Sequence, residues 1–205
     1  PHGPHGRMTG APLPVRLYSG LSALLYPMFA RREADKLRAA GMETRIGERQ
    51  GRATAERPKG RLVWFHAASV GESLSALPLI RALGKAHPDW SFLLTSGTTS
   101  SAQILGQRLP PRTRHQFAPI DGKPALRQFL THWRPDAAVF IESELWPNTL
   151  RMLRARGIPM ALLNARISDK TARNWQRVPG TARFLLGGFA LIHCQDQRTA
   201  DHFHA

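Results

Sequence analysis

The residues best suited to chemistry fall in short polar segments, each directly following an apolar run. They are H-A-A-S-V-G-E-S at 66–73, T-S-G-T-T-S-S at 95–101, P-I-D-G at 119–122, E-S-E-L-W-P-N at 142–148, N-A-R-I-S at 164–168 and C-Q-D at 194–196. Glu72 lies in a glycine-containing turn, where a carboxylate can take the proton of a substrate hydroxyl as a general base. The same glutamate, in the first turn of a helix, would complement the helix dipole. Ser69 and Gly71 of that turn are candidate substrate contacts. Glu142 and Glu144 are two apart, so on an extended backbone they project to one side. Paired carboxylates can then divide acid and base work; alternatively one caps the following helix or pairs with Arg166.

Thr98 and Thr99 offer hydroxyls and backbone amides at a helix start, a cradle for phosphate or carboxylate, or else simple N-caps. Asp121 and Asn164 are further candidate ligands. Arg166 could clamp a phosphate or carboxylate bidentately, or serve a structural ion pair. The phosphate-loop pattern G-x-x-x-x-G-K-[ST] is absent. No G-x-G-x-x-G follows the first apolar run, which argues against a nicotinamide dinucleotide. No zinc-ligand spacing occurs, so no metal is assigned.

The elements that must position these residues are legible as a rhythm. Apolar runs at 62–67, 90–95, 115–118, 137–141, 160–163 and 189–193 alternate with segments of helical spacing, such as Leu74, Leu77, Ile80 and Leu83. Strands alternating with helices predict a parallel sheet covered on both faces, the α/β class. Pro88, Pro135 and Pro159 stop the preceding helices. Residues 60–205 are thus expected to form one Rossmann-like domain, with ligands at the carboxyl ends of its strands. The sixth β-α unit falls at the end of the chain, and we expect a further half to follow it.

Residues 1–14 begin with P-H-G-P-H-G-R and read as a disordered tail, metal binding by His2 and His5 being the alternative. Residues 15–59 read as an amphipathic or membrane-associated helix followed by a linker. The apolar stretch 17–30 is short of the roughly 20 residues that cross a bilayer. Tyr18 and Tyr26, flanked by Arg16, Arg31 and Arg32, suit a helix lying in the interface; the alternative is an amphipathic helix docked on the domain.

The 205 residues carry 29 Lys+Arg against 14 Asp+Glu, a net charge of +15. Such a charge favours an anionic partner, whether nucleic acid, membrane surface or phosphorylated substrate. The arginines are scattered and aromatics are only 8%, unlike the clustered basic and aromatic face of a nucleic-acid-binding module. The lone cysteine, Cys194, excludes an internal disulfide and reads as a small core residue. No cleavable secretory signal is evident, which suits a cytoplasmic chain.

Taken in order and spacing, these segments resemble the Kdo (3-deoxy-D-manno-octulosonic acid) transferases of Gram-negative bacteria. H-A-A-S-V-G-E, T-S-G-T-T, P-I-D, E-S-E-L-W-P-N and N-A-R-I-S all take part, as does the early Y-S-G-L-S-A-L-L-Y-P. The resemblance covers nearly everything from about Val15. It implies the amino-terminal half of a two-domain GT-B glycosyltransferase that needs no cofactor and no metal. That half would receive the lipid A precursor, and the other half would bind most of the CMP-Kdo donor. The implied location is the cytoplasmic face of the inner membrane. Glu72 matches the family's general base, Glu142 and Glu144 its second acidic motif, and Asn164 and Arg166 its third. Ser143 and Ile167 depart from the usual Thr and Leu. Residues 1–205 alone are expected to be inactive. Another GT-B nucleotide-sugar enzyme is the alternative from the same fold.

Overall fold

The computed structural model describes residues 10–142 and 144–204. Expectations for His2, His5 and Ser143 fall outside these. Six strands, β1 (Leu62–Ala67), β2 (Ser91–Ser96), β3 (Thr113–Phe117), β4 (Ala137–Ile141), β5 (Met160–Ala165) and β6 (Phe189–Cys194), form one sheet in the order β3-β2-β1-β4-β5-β6. Every pairing is parallel. The chain is therefore of the α/β class with the Rossmann-like order expected.

The strands read as near-continuous apolar runs because both faces of the sheet are covered. On one face Leu62 and Trp64 pack with Phe129, Leu130 and Trp133 of α5 (Lys123–Trp133) and with Leu150 and Leu153 of α6 (Pro147–Ala155). On the other, Val63, Phe65 and Ala67 meet Leu77 and Ile80 of α3 (Val70–Ala86) and Leu105 of α4 (Thr99–Leu105). This alternation along β1 is the two-residue period of a strand with two buried sides. α7 (Asp169–Gln176), α8 (Pro179–Leu186) and α9 (Gln197–His204) complete the carboxyl side. Cys194 is only half-buried, because β6 is an edge strand; it packs against the rim of the core rather than inside it.

Ahead of the sheet, α1 runs from Leu13 to Ala39, reaching well past the apolar stretch. It is docked on the domain through Val15, Ser19, Ala34 and Leu37, all buried. Ser19 Oγ donates to Asn148 Oδ1 at 2.6 Å, and Asn148 Nδ2 donates to Ser22 Oγ at 2.9 Å. Tyr26 lies against Gly122, where a Cβ would stand 2.5 Å from the ring, so glycine is what lets the helix approach. The opposite side of α1 is also apolar. Leu13, Leu17, Leu21, Leu24 and Met28 recur at three- and four-residue spacing and are 54–75% exposed. Among the described residues no helix is long and apolar enough to cross a membrane.

The stretch 45–59 is more than a linker. After a 3₁₀ turn (Glu43–Arg45), α2 (Ile46–Arg49) puts Glu48 under the end of β3 with no exposure. Glu48 accepts both nitrogens of the Arg45 fork at 2.9 and 2.8 Å, and the Phe117 N–H at 2.7 Å.

Candidate active site

The strand order reverses between β1 and β4, the position where open α/β sheets bind ligands outside the strand ends. β1 leaves the sheet there into Ala68 and the cap of α3. Ser69 Oγ accepts the Glu72 N–H at 3.2 Å, and Glu72 Oε2 accepts the Ala68 N–H at 2.8 Å. This is a close relative of the Ser-x-x-Glu capping box. The helix-start role of Glu72 is thus present, and it occupies one oxygen; among the described residues no donor meets Oε1. Gly71 is exposed, and a Cβ there would meet nothing within 4 Å.

Across the crevice, Glu142 follows β4 with φ 61°, and Asn164, within β5, has φ 54° at an irregular step in the β5–β6 register. Left-handed backbone at a residue with a Cβ costs about 1 kcal/mol, and such outliers gather where a site needs a side chain re-aimed. The extended geometry expected to put Glu142 and Glu144 on one side therefore does not exist, because the strand has already ended. Glu142 is near enough to feel the Glu72 charge. Partial burial first, and the Glu72 carboxylate second, raise its pKa; Arg166 opposes them and Glu144 adds to them. Arg166 is exposed, and its charge also acts on Asp196.

Glu144 lines a cavity beside α1. Its Oε2 accepts the Trp146 indole N–H at 2.6 Å and pairs with His66 Nε2 at 3.2 Å. Burial pushes this carboxyl up, but the His66 and Trp146 contacts outweigh it and leave Glu144 below the ordinary range. His66, 5% exposed, is held at its other nitrogen by Thr95 Oγ1 at 2.9 Å, and that oxygen accepts the Trp64 indole N–H at 2.8 Å. The Glu144 carboxylate can only accept, so the proton of this contact sits on His66 Nε2; the Thr95 hydroxyl also lies 3.4 Å from the Phe65 carbonyl. Sequence reasoning passed over His66. Its signal was parity: it follows Trp64 on the same side of β1 and ends an otherwise apolar strand.

The remaining candidates are structural in their visible contacts. Thr98 N-caps α4, accepting the Ser101 N–H at 3.1 Å, and Thr99 is that helix's first residue. Asp121, 8% exposed, caps α6 rather than standing open. It accepts the backbone N–H groups of Asn148 at 3.1 Å and Thr149 at 2.8 Å, and the Thr149 hydroxyl at 2.6 Å. Burial and this carboxylate together push the Tyr18 phenol up, so Asp121 also ties α1 to the site. Neither Glu142 nor Glu144 caps α6.

Between α1 and the strand ends lies a cavity of about 500 Å³. Leu25, Phe29, Ile120, Trp146 and Glu144 are among the residues that line it. Arg49 also lines the cavity, donating to the Ala118 carbonyl at 3.0 Å and to the Gly97 carbonyl, and pairing with Glu33 at 3.1 Å. Gly97 must be glycine for its loop to lie on Ala68, whose carbonyl would stand 2.8 Å from a Cβ.

Beside this wall His115 accepts from Arg45 Nη2 at 2.9 Å and so donates from Nε2 to Ser96 Oγ at 2.8 Å. Burial, then Arg45 and Arg49, push its pKa down to about 3 from 6.5. The unfolded chain therefore binds the extra proton first as pH falls below 6.5, and stability is lost from there toward pH 3. We expect unfolding free energy to drop by about 2 kcal/mol between pH 6.5 and 4.5 from this group, allowing for its partial exposure. Urea titrations of wild type and His115→Gln at both pH values check this; an equal drop in the variant would assign the loss elsewhere.

Residues 44–205 match the family described as 3-deoxy-D-manno-octulosonic-acid transferase (kdotransferase). The chain is similar to the 3-deoxy-D-manno-octulosonic acid transferases of Rickettsia felis, 46% identical over 143 residues, and Rickettsia bellii, 38% over 192. It is also 40% identical over 159 residues to a probable mitochondrial 3-deoxy-D-manno-octulosonic acid transferase of Arabidopsis thaliana. These matches take in 70%, 93% and 76% of the chain. They span only 31%, 46% and 36% of the three relatives, so the chain corresponds to less than half of their length.

Proposed function

The chain belongs to the 3-deoxy-D-manno-octulosonic-acid (Kdo) transferase family, and from that premise we propose that it is the acceptor-receiving part of an enzyme moving Kdo from CMP-Kdo to the lipid A precursor. The observation that carries this reading is the apolar cavity between α1 and the strand ends, with Glu72, Glu142 and Arg166 near enough for the first and last to act on the charge of the second.

Glu72 Oε1 takes the proton of a glucosamine hydroxyl while Oε2 stays on the Ala68 N–H. The freed oxygen attacks the anomeric carbon of Kdo from the face opposite CMP. The bond from that carbon to the phosphate oxygen breaks, and CMP leaves with the electron pair, inverting the centre. No metal is assigned to the step. Glu142 has its pKa raised by partial burial and by the Glu72 charge, so it holds a proton more readily than an ordinary carboxylate. Asn164 and Arg166 approach from the β5 end, where the arginine's charge suits the phosphate or the Kdo carboxylate. Ser69, Gly71, Thr98 and Thr99 shape the entrance, and Asp121 acts by positioning. CMP-Kdo would be held mainly by residues outside this chain.

The outward stripe of α1, with exposed Arg16, Arg31 and Arg32, suits an anionic leaflet at the cytoplasmic face of the inner membrane. Each basic residue near such a surface adds about 1 kcal/mol of attraction.

The test is transfer by the complete gene product, with CMP-Kdo and UDP-sugars compared on lipid A precursor in anionic vesicles. Kdo transfer, with protein floating alongside the vesicles, is expected. Turnover of a UDP-sugar alone would instead favour another GT-B nucleotide-sugar enzyme, and loss of flotation would remove the membrane role.

A further inference from the structure

Trp146 is not explained by the core. It is 43% exposed, among the few large apolar side chains left open outside α1, yet its position is closely determined. Pro147 follows it and restricts its backbone to the extended region, where it lies at φ −85° and ψ 111°. Its indole N–H is held by Glu144 Oε2 at 2.6 Å, and the same oxygen pairs with His66 at 3.2 Å. His66 is in turn fixed by Thr95 and, through it, Trp64. The outcome is a flat apolar surface on the cavity wall, beside a carboxylate whose Oε1 meets no donor among the described residues.

An oriented aromatic face beside an ionised carboxylate matches the chemistry of a pyranose. One face of the ring presents C–H groups that pack on an aromatic surface, and its rim presents hydroxyls that donate to carboxylate oxygen. Indole pre-organised by its own hydrogen bond offers this contact at little entropic cost. Two pyranoses come near this centre under the proposed function, on which the present inference rests. Kdo carries a carboxylate, which the Glu144 charge repels. The acceptor sugar is uncharged at its ring hydroxyls and continues into apolar chains, as the cavity does from Trp146 toward Leu25 and Phe29.

We propose that Trp146 and Glu144 form a binding subsite for the acceptor sugar, with the indole stacked on the ring and Glu144 Oε1 accepting from a hydroxyl. His66 is its positioning residue, holding the carboxylate toward the sugar.

The experiment uses the complete gene product and a deacylated, water-soluble acceptor disaccharide, so that membrane partitioning makes no contribution. Trp146→Ala is expected to raise acceptor KM about tenfold or more while donor KM stays within about twofold. Trp146→Phe, which keeps a face but not the N–H, is expected to recover most of that loss. An unchanged acceptor KM in Trp146→Ala, or a rise confined to donor KM, overturns the subsite. Should Trp146→Ala fail to fold, acceptor titration against wild type and Trp146→Phe by saturation-transfer NMR decides: contacts from the sugar C–H face to the residue-146 ring are expected, and their absence overturns it. Should wild type transfer no Kdo, the enzymatic reading fails separately, and the same titration with neutral pyranoses still tests the subsite.

Discussion

Replacing Glu72 by Gln in the complete gene product is expected to lower kcat for Kdo transfer by about 10²–10⁴-fold, the range a positioned general base supplies. The substitution is chosen because Glu72 has two duties. One oxygen accepts the Ala68 N–H and helps to start α3; the amide oxygen of glutamine can still do so. What glutamine cannot do is take a proton. Stability should therefore hold while turnover falls, and a thermal melt beside the kinetics separates the two duties. Alanine would confuse them, since losing a cap costs about 1 kcal/mol in itself. If Glu72→Gln keeps turnover within a few-fold of wild type, the base lies elsewhere. Glu142 is then next in line, being the carboxyl that Glu72 itself perturbs.

The second large effect concerns stability. Glu48→Ala is expected to cost about 3–5 kcal/mol, the range for removing one partner of a buried ion pair. Glu48 has no exposed surface, and it accepts the Arg45 fork, the Thr54 hydroxyl at 2.5 Å and the Phe117 N–H at 2.7 Å. Its loss takes the carboxylate from the Arg45 guanidinium, which among the described residues keeps only its contacts with His115 and the Phe117 ring, and leaves an N–H at the end of β3 without its acceptor. Against a usual total of 5–15 kcal/mol this is a large fraction. Denaturant unfolding of wild type and variant measures it, and a loss below 1 kcal/mol would mean that water replaces the carboxylate without strain. Because Arg49 is the next residue and lines the cavity, Glu48→Ala should also weaken acceptor binding, through packing rather than chemistry.

These two residues illustrate what could be read without coordinates. Glu72 stood out because its local contacts span four residues or fewer, so a turn motif announces it. Glu48 did not, as its partners at Phe117 and Thr54 lie beyond any local pattern, and the Gly- and charge-rich stretch around it reads as linker. The same division runs through the site. Thr98 was legible as a cap, whereas Asp121 looked like a ligand because the helix it caps begins at Pro147, 26 positions later. The end of an apolar run placed Glu142 and Glu144 just after β4, which ends at Ile141. Their relative direction was misjudged, since a left-handed turn at Glu142 leaves no mark in residue type.

By itself, then, the sequence determined the α/β class, the six strands, the parallel sheet and the rim on which polar residues gather. Each follows from periodicity and burial, which act within a strand or helix and so leave their signature in neighbouring residues. It also carried the family, through motifs whose order and spacing survive together. Only the tertiary structure decided the partnerships across that rim. His66 meets Glu144 because β1 pairs with β4, two strands separated in sequence by two complete β-α units. α1 presents one apolar side to the domain and the other outward because Ser19 and Ser22 find Asn148, more than 120 residues away. Hydrogen bonds of this reach depend on the angles at which strands and helices pack, and a one-dimensional pattern does not encode those angles residue by residue.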